Sequence, residues 1–293
     1  MNRKKHYIFT IIFCISTTIQ AKSLEIISLW SNDKPPENPK HQLKKNIKTV
    51  VTPFMAVYSP AQSNHTAILV MSGGGYAHEV LNKEGTPTSL WLQQHGFTVF
   101  ELVYRLPMPE QANTRDLPFA DAQRALRLIK ATGQFQHIGV MGFSAGGHVA
   151  GMLATQWTKT FYKPLDATDT FSARPDFAVL LYPVVSMQPP LNETHAYKVL
   201  FDANSNDTLL RQYSINQNIT HNTPPMFIAH AIDDNISPVA NSQLLHQALQ
   251  QQQISNEFIL FDHGGHGWGL GNNPQTKQWP ALFLHWQQQQ FQD

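Results

Sequence analysis

The chain has one cysteine in 293 residues, Cys14. It lies in an N-terminal segment read below as removed on export, so no disulfide framework is expected even in an oxidising compartment. Charge is scarce too, with 14% of residues charged and a net charge of +1. Nothing in that balance advertises nucleic acid or another polyanion as a partner. The N-terminal apolar stretch, from about Tyr7 to Ile15, is too short to span a bilayer comfortably, so no stable membrane insertion is expected once it is cleaved. No internal repeat is present. Hydrophobic residues, by contrast, make up 42%, which suits one large α/β domain better than two small ones.

Residues 1–21 read as a signal peptide. Arg3, Lys4 and Lys5 form a positive start, the apolar stretch follows, and Ser16-Thr17-Thr18 leads to a cleavage point at Ala21. The residues before Cys14 are not the small ones expected ahead of a lipid-modified cysteine. Export to the periplasm or beyond follows as an expectation. Residues 22–48 read as an extended N-terminal arm, rich in Pro, Asn and Lys from 31 onward, and residues 49–293 as the catalytic domain.

Strands are expected at Phe54–Tyr58, Ala67–Met71, Thr98–Tyr104, Ile138–Met141, Phe177–Tyr182, Met226–His230 and Glu257–Phe261. Several are continuous apolar runs, such as Ala178-Val179-Leu180-Leu181, as strands covered on both faces should be. Helices are expected at Thr86–His95, Phe119–Ala131, Ala145–Trp157, Pro238–Gln253 and about Gln278–Gln290. Within Asp121–Ile129 the apolar positions recur every three or four residues, as in a helix lying on a sheet. Strands alternating with helices imply a mostly parallel sheet with helices on both faces. Residues 186–222 lack a clear sheet element, and a structureless loop that long is unusual, so short helices near the site are expected there.

Between the strand at Ile138–Met141 and the helix from Ala145 stands Gly142-Phe143-Ser144-Ala145-Gly146, a G-x-S-x-G segment. A serine on so tight a turn holds its Oγ clear of the backbone, and the helix points free N–H groups at it. Ser144 is the candidate nucleophile. A base is offered by Asp262-His263-Gly264-Gly265-His266-Gly267, after the last strand, where His263 and His266 compete. An acid is offered by Asp233 and Asp234, after the strand Met226–His230. Pattern and spacing favour Asp234 for orienting the base, with the other carboxylate free to cap the helix near Pro238. The order Ser, Asp, His is that of α/β-hydrolases, not of chymotrypsin or subtilisin. Ser72-Gly73-Gly74-Gly75-Tyr76, after another strand, supplies backbone for an oxyanion hole, with the amides of Gly74 and Gly75 joined by that of Ala145. A phosphate loop is the rival reading, but neither Lys-Ser/Thr nor G-x-G-x-x-G is present there.

Taken together, Gly73–Tyr76, Asp121–Ala125, Gly142–His148, Asp233-Asp234 and His266–Gly271 resemble bacterial α/β-hydrolases of the acetyl esterase and acetylxylan esterase type. The similarity runs from about Ile27 to Trp286. It implies an α/β-hydrolase fold without a large cap domain, with Ser144 as nucleophile, Asp234 as acid and His266, opening the His-Gly-aromatic-Gly block, as base. Two positions depart from the pattern of relatives: Ser72 stands where hormone-sensitive-lipase relatives have histidine, and Asn235 where a proline often follows the acid. Neither removes a catalytic group.

The reaction implied is hydrolysis of short esters, acetyl above all, on a small molecule or an acetylated saccharide, with no cofactor and no metal. Because the imidazole must be neutral to take the serine proton, activity should fall in acid. Tyr76, Trp157, Tyr182 and Trp268 offer a sugar platform or else core and pocket wall. The rivals are a peptidase on the same fold, a metal-dependent deacetylase using Asp262, His263 and His266, and a carbohydrate-binding relative without turnover.

Overall fold

The computed structural model describes residues 24–291 apart from 32, 35, 109, 110, 112, 113 and 203. The signal-peptide reading of residues 1–21 therefore lies outside the described residues. In chain order the elements begin with β1 (Glu25–Ser28), α1 (Pro39–Gln42), β2 (Asn46–Ile47), β3 (Phe54–Tyr58), β4 (Thr66–Met71) and β5 (Glu79–Val80). Next come α2 (Thr86–Gln94), β6 (Thr98–Val103), α3 (Leu117–Ala131), β7 (His137–Phe143), α4 (Ala145–Thr155) and β8 (Phe177–Leu181). The last are α5 (His195–Leu200), α6 (Asp207–Gln212), β9 (Met226–Ala231), α7 (Ala240–Gln251), β10 (Asn256–Phe261) and α8 (Trp279–Phe291).

Eight strands form the main sheet in the order β1-β3-β6-β4-β7-β8-β9-β10. The pairs β1–β3 and β3–β6 are antiparallel and the rest parallel. Every residue of β3, β4, β6, β8 and β9 is buried, which explains why several read as continuous apolar runs: each has a helix layer on both sides. One layer packs α3, α4 and α7 through Phe119, Leu126, Val149 and Leu245. The other packs α2 and α8 through Leu92, Phe283 and Trp286. This is the α/β-hydrolase fold expected from the sequence.

The arm drawn over residues 22–48 needs correction at its start. Glu25–Ser28 is not a surface arm but the edge strand β1, paired with Phe54–Val57. Four residues at an edge are too short to show a period. Further on, β2 pairs with β5 in a separate two-stranded ribbon.

Function is placed by the direction of the strands. β6 lies on one side of β4 and β7 on the other, so the strand order reverses between β4 and β7. The loops leaving their carboxyl ends part there and open a crevice, the usual site of ligands in open α/β sheets. The loop after β4 holds the glycines; the turn after β7 holds Ser144.

Candidate active site

Ser144 occupies the single residue between β7 and α4, with φ 51° and ψ −117°. A non-glycine residue there costs about 1–3 kcal/mol, offset by its surroundings. The Ser144 amide donates to the Leu181 carbonyl at 3.0 Å, and its carbonyl accepts the amides of His148 at 3.0 Å and Val184 at 3.2 Å. A Cβ on Gly146 would lie 2.4 Å from the carbonyl oxygens of both Met71 and Ser72. The turn can therefore press against the glycine loop only because residue 146 has no side chain.

The other two candidates converge on Ser144 from the loops after β9 and β10. His266 Nε2 lies 2.8 Å from Ser144 Oγ, and His266 Nδ1 lies 2.6 Å from Asp234 Oδ2. With Nδ1–H donating to the carboxylate, Nε2 is left bare to accept the serine hydroxyl. Asp234 Oδ1 also accepts the amides of Ile236 and Ser237, each at 2.9 Å. Burial alone would raise the Asp234 pKa, but donors from His230 and His266 outweigh it and hold the carboxyl at about 2. It is ionised at any neutral pH.

His230 went unnoticed in the sequence. Buried at the end of β9, its Nε2–H donates to the Ser237 carbonyl at 2.8 Å and to Asp234 Oδ2 at 3.2 Å, while Nδ1 accepts the Ser242 hydroxyl at 2.7 Å. Its signal was position: a polar residue closing an apolar strand, four residues before a carboxylate.

Asp233 does not cap the helix near Pro238. It turns the opposite way and accepts the amides of Gly264 at 2.9 Å and Gly265 at 2.7 Å, holding the base of the histidine loop. These amides, Gly265 foremost, lower its pKa. α7 starts at Ala240 with no side-chain cap. The competing His263 is 80% exposed and faces Asp233 at 3.6 Å rather than Ser144. Among the described residues, no group of three or more His, Cys, Asp or Glu side chains is arranged to hold a metal ion.

The glycine loop is held differently. Gly73 donates its amide to Glu84 Oε2 at 2.7 Å, His195 Nδ1 donates to the Gly75 carbonyl at 3.0 Å, and the Tyr76 hydroxyl donates to His148 Nδ1 at 2.7 Å. His148 in turn donates from Nε2 to the Tyr213 carbonyl at 2.7 Å. Burial pushes His148 down to about 4, so it stays a neutral acceptor. Among the described residues, no protein acceptor takes the amides of Gly74, Gly75 or Ala145. Gly74 and Gly75 line a cavity of about 470 Å³ together with Ser144, His266, Val184 and Ala196. His195 and Ala196 come from α5, one of the short helices within residues 186–222.

The aromatic residues are not a sugar platform. Tyr76, Tyr182 and Trp268 are at most 2% exposed, and Trp157 packs against the core. Large rings here fill the space beneath the loops, where burial of apolar area outweighs display.

The fold, the crevice at the strand switch and a serine raised on a strained strand-to-helix turn define an α/β-hydrolase. The BD-FAE family model matches residues 55–249, and the chain belongs to that family. It is 32% identical over 219 residues to endo-1,4-beta-xylanase B of Butyrivibrio fibrisolvens, covering 72% of this chain and 34% of that protein. To the acetylxylan esterase of Xylanibacter ruminicola it is 29% identical over 229 residues, covering 74% and 44%. The chain thus spans less than half the length of these curated relatives. A crystal structure of an acetyl ester-xyloside bifunctional hydrolase from Caldicellulosiruptor lactoaceticus superposes with a TM-score of 0.74 at 33% identity, covering 89% of this chain and 94% of that one. The apo form of Thermogutta terrifontis esterase 2, at 22% identity and TM-score 0.69 over 91% and 94%, shares the fold. By class the chain is an α/β-hydrolase of the BD-FAE family.

Proposed function

We propose that this protein is a serine esterase that removes short acyl groups, acetyl above all, from small esters or acetylated saccharides through an acyl-enzyme. The observation that carries the reading is the continuous chain of hydrogen bonds from Ser144 Oγ through His266 to Asp234, at 2.8 and 2.6 Å, at the wall of an open cavity. His266 takes the serine proton as Oγ attacks the ester carbonyl. The carbonyl oxygen, now an anion, is received by the amides of Gly74, Gly75 and Ala145, which have no other partner among the described residues. His266 then gives its proton to the leaving alcohol and draws one from the water that releases the acid. Asp234 keeps the imidazole in the correct tautomer and balances its charge.

Acetyl specificity and a saccharide leaving group are supported by the motif resemblance and by the names of the relatives. Export is part of the same proposal and rests on the pattern of residues 1–21. N-terminal sequencing of the protein recovered from the periplasm would test it, with a start at Lys22 expected.

The central test incubates the protein with a fluorophosphonate and with p-nitrophenyl acetate, butyrate and octanoate, beside Ser144→Ala. Labelling and acetate release that both vanish in the variant are expected, with turnover falling as the acyl chain lengthens. A folded parent that is neither labelled nor active would overturn the reading. Acetylated xylo-oligosaccharides then serve as the first natural esters to be tried.

A further inference from the structure

A buried carboxylate that this chemistry does not use stands between the two loops of the site. Glu84 is 3% exposed and belongs to Leu81–Gly85, a single wide turn of π-helix leading into α2. Such turns recur at functional sites because the extra residue redirects a side chain. This one aims Glu84 into the wall of the cavity that holds Ser144 and His266.

Both carboxylate oxygens accept. Oε2 takes the Gly73 amide at 2.7 Å and Oε1 takes the Tyr182 hydroxyl at 2.9 Å. The Tyr182 oxygen accepts in turn the amide of Gly269 at 3.0 Å, and the Tyr182 ring meets the His266 ring edge-on, centroids 4.9 Å apart. Tyr182 does this from a left-handed backbone, φ 38°, a strained state for a bulky residue. One carboxylate therefore joins the first glycine of one loop to the far side of the other. A side chain on Gly73 would begin 2.8 Å from Glu84 Oε2 and 2.9 Å from Ser144 Cβ, so carboxylate, glycine loop and serine are stacked in direct contact.

We propose that Glu84 is a positioning residue that holds the glycine loop and the histidine loop in register and, as a carboxylate, favours the imidazolium that forms on His266 during attack. The inference rests on the serine-esterase reading. Two accepted hydrogen bonds and no donated one fit the ionised form. The Glu84 carboxyl is held above the usual carboxylate range because burial outweighs the Gly73 and Tyr182 donors and the nearby His266 and Lys83, which lower its pKa. Of the groups around it, Tyr104 and Tyr182 are held well above the usual phenol range by burial, Glu84 contributing to each. His266 is faced in addition by Asp234 and Ser144. The plain alternative is that Glu84 only satisfies two buried donors, in which case a neutral isostere would serve as well.

The test compares Glu84→Gln and Tyr182→Phe with the parent on p-nitrophenyl acetate across pH, with thermal melts and NMR titration of the His266 ring. Glu84→Gln is expected to lower kcat by about 10–100-fold with KM changed little, as when a donor loop is displaced. The acid limb of kcat/KM and the His266 midpoint both move to lower pH, since a negative charge has gone. Tyr182→Phe, which removes the hydroxyl bridging Glu84 to Gly269 but leaves the Glu84 charge and its bond to Gly73, loses about tenfold and shifts less. A folded Glu84→Gln with the parent's kcat, acid limb and His266 midpoint overturns the proposal. If Glu84→Gln does not fold, Tyr182→Phe decides by the same measures, and parental values there overturn it. The NMR midpoint reads the coupling without turnover, so a parent inert to esters and fluorophosphonate sinks the esterase reading separately.

Discussion

The glycine loop after β4 and the histidine loop after β10 face each other across Ser144 and are built on opposite plans. The first is gripped at three successive places, by Glu84 on Gly73, His195 on Gly75 and His148 on Tyr76. Glu84 and His148 are buried. The second is largely open to solvent and is held at its base by Asp233 on Gly264 and Gly265, and by Asn272 and Asn273 on the carbonyls of Gly264 and His263. Trp268 pins its far end in the core. The difference suits the two tasks proposed for these loops. Amides that stabilise an anion must be preorganised, because any rearrangement costs part of what they contribute. An imidazole that passes a proton from serine to leaving group needs only its ring plane held, which Asp234 and Tyr182 do from two sides.

The largest effect is expected from His266→Ala, which removes the one group the open loop contributes to the chemistry. Turnover of p-nitrophenyl acetate should fall by about 10⁴-fold or more, while the thermal midpoint changes little because the side chain is partly exposed. A large drop in stability would show that the histidine loop is as structural as the glycine loop.

Gly74→Ala attacks the other plan. With φ +124° and a new Cβ 2.0 Å from the His78 carbonyl oxygen, the loop must distort. Activity should fall about 10²–10³-fold, the range for a lost oxyanion donor. Here the melting temperature should fall as well, and a circular dichroism melt beside the kinetics separates the two cases.

His148 supplies a pH test of the buried grip. Burial holds its folded pKa at about 4, below the ordinary 6.5. The unfolded chain therefore binds a proton that the native state refuses, and stability falls as pH drops from 6.5 through about 4. The contribution is on the order of 3 kcal/mol, present in full only above 6.5. Urea melts between pH 4 and 7 should show that slope reduced in His148→Gln relative to the parent. An unchanged slope would mean that His148 is not the group that titrates. Asp234 adds a second loss further into acid, between the ordinary 3.8 and about 2.

Smaller effects belong to the open loop's base. Asp233→Asn weakens two amide contacts and should cost about tenfold in kcat, with faster hydrogen exchange confined to residues 262–267. His263→Ala should leave kcat within about twofold. A loss equal to that of His266→Ala would reverse the choice between the two histidines.

Much of this architecture is legible in the sequence. Strands buried on both faces are mostly apolar, so β3, β4, β7, β8 and β9 read as runs in the sequence. G-x-S-x-G and the glycine triplet were equally plain, because a strained turn and a close backbone approach restrict residue type strongly. β1 was missed because four residues at a sheet edge carry no period. Of the two readings open for the aromatic residues, core and pocket wall holds and display does not, because composition does not say which side of a loop faces solvent.

The sequence by itself determined the elements, their order and the chemistry available: a serine on a strand-to-helix turn, two adjacent carboxylates, two histidines in one glycine-rich loop. Those are local matters of backbone sterics, periodicity and side-chain type. Spacing and resemblance favour Asp234 and His266, but only the tertiary structure brings His266 to the serine and Asp234 to His266. It also turned Asp233 to the histidine loop and set Glu84, His148 and His230 behind the site. Those choices depend on contacts between residues up to 122 positions apart, and local sequence carries no record of which distant donor will satisfy a buried acceptor.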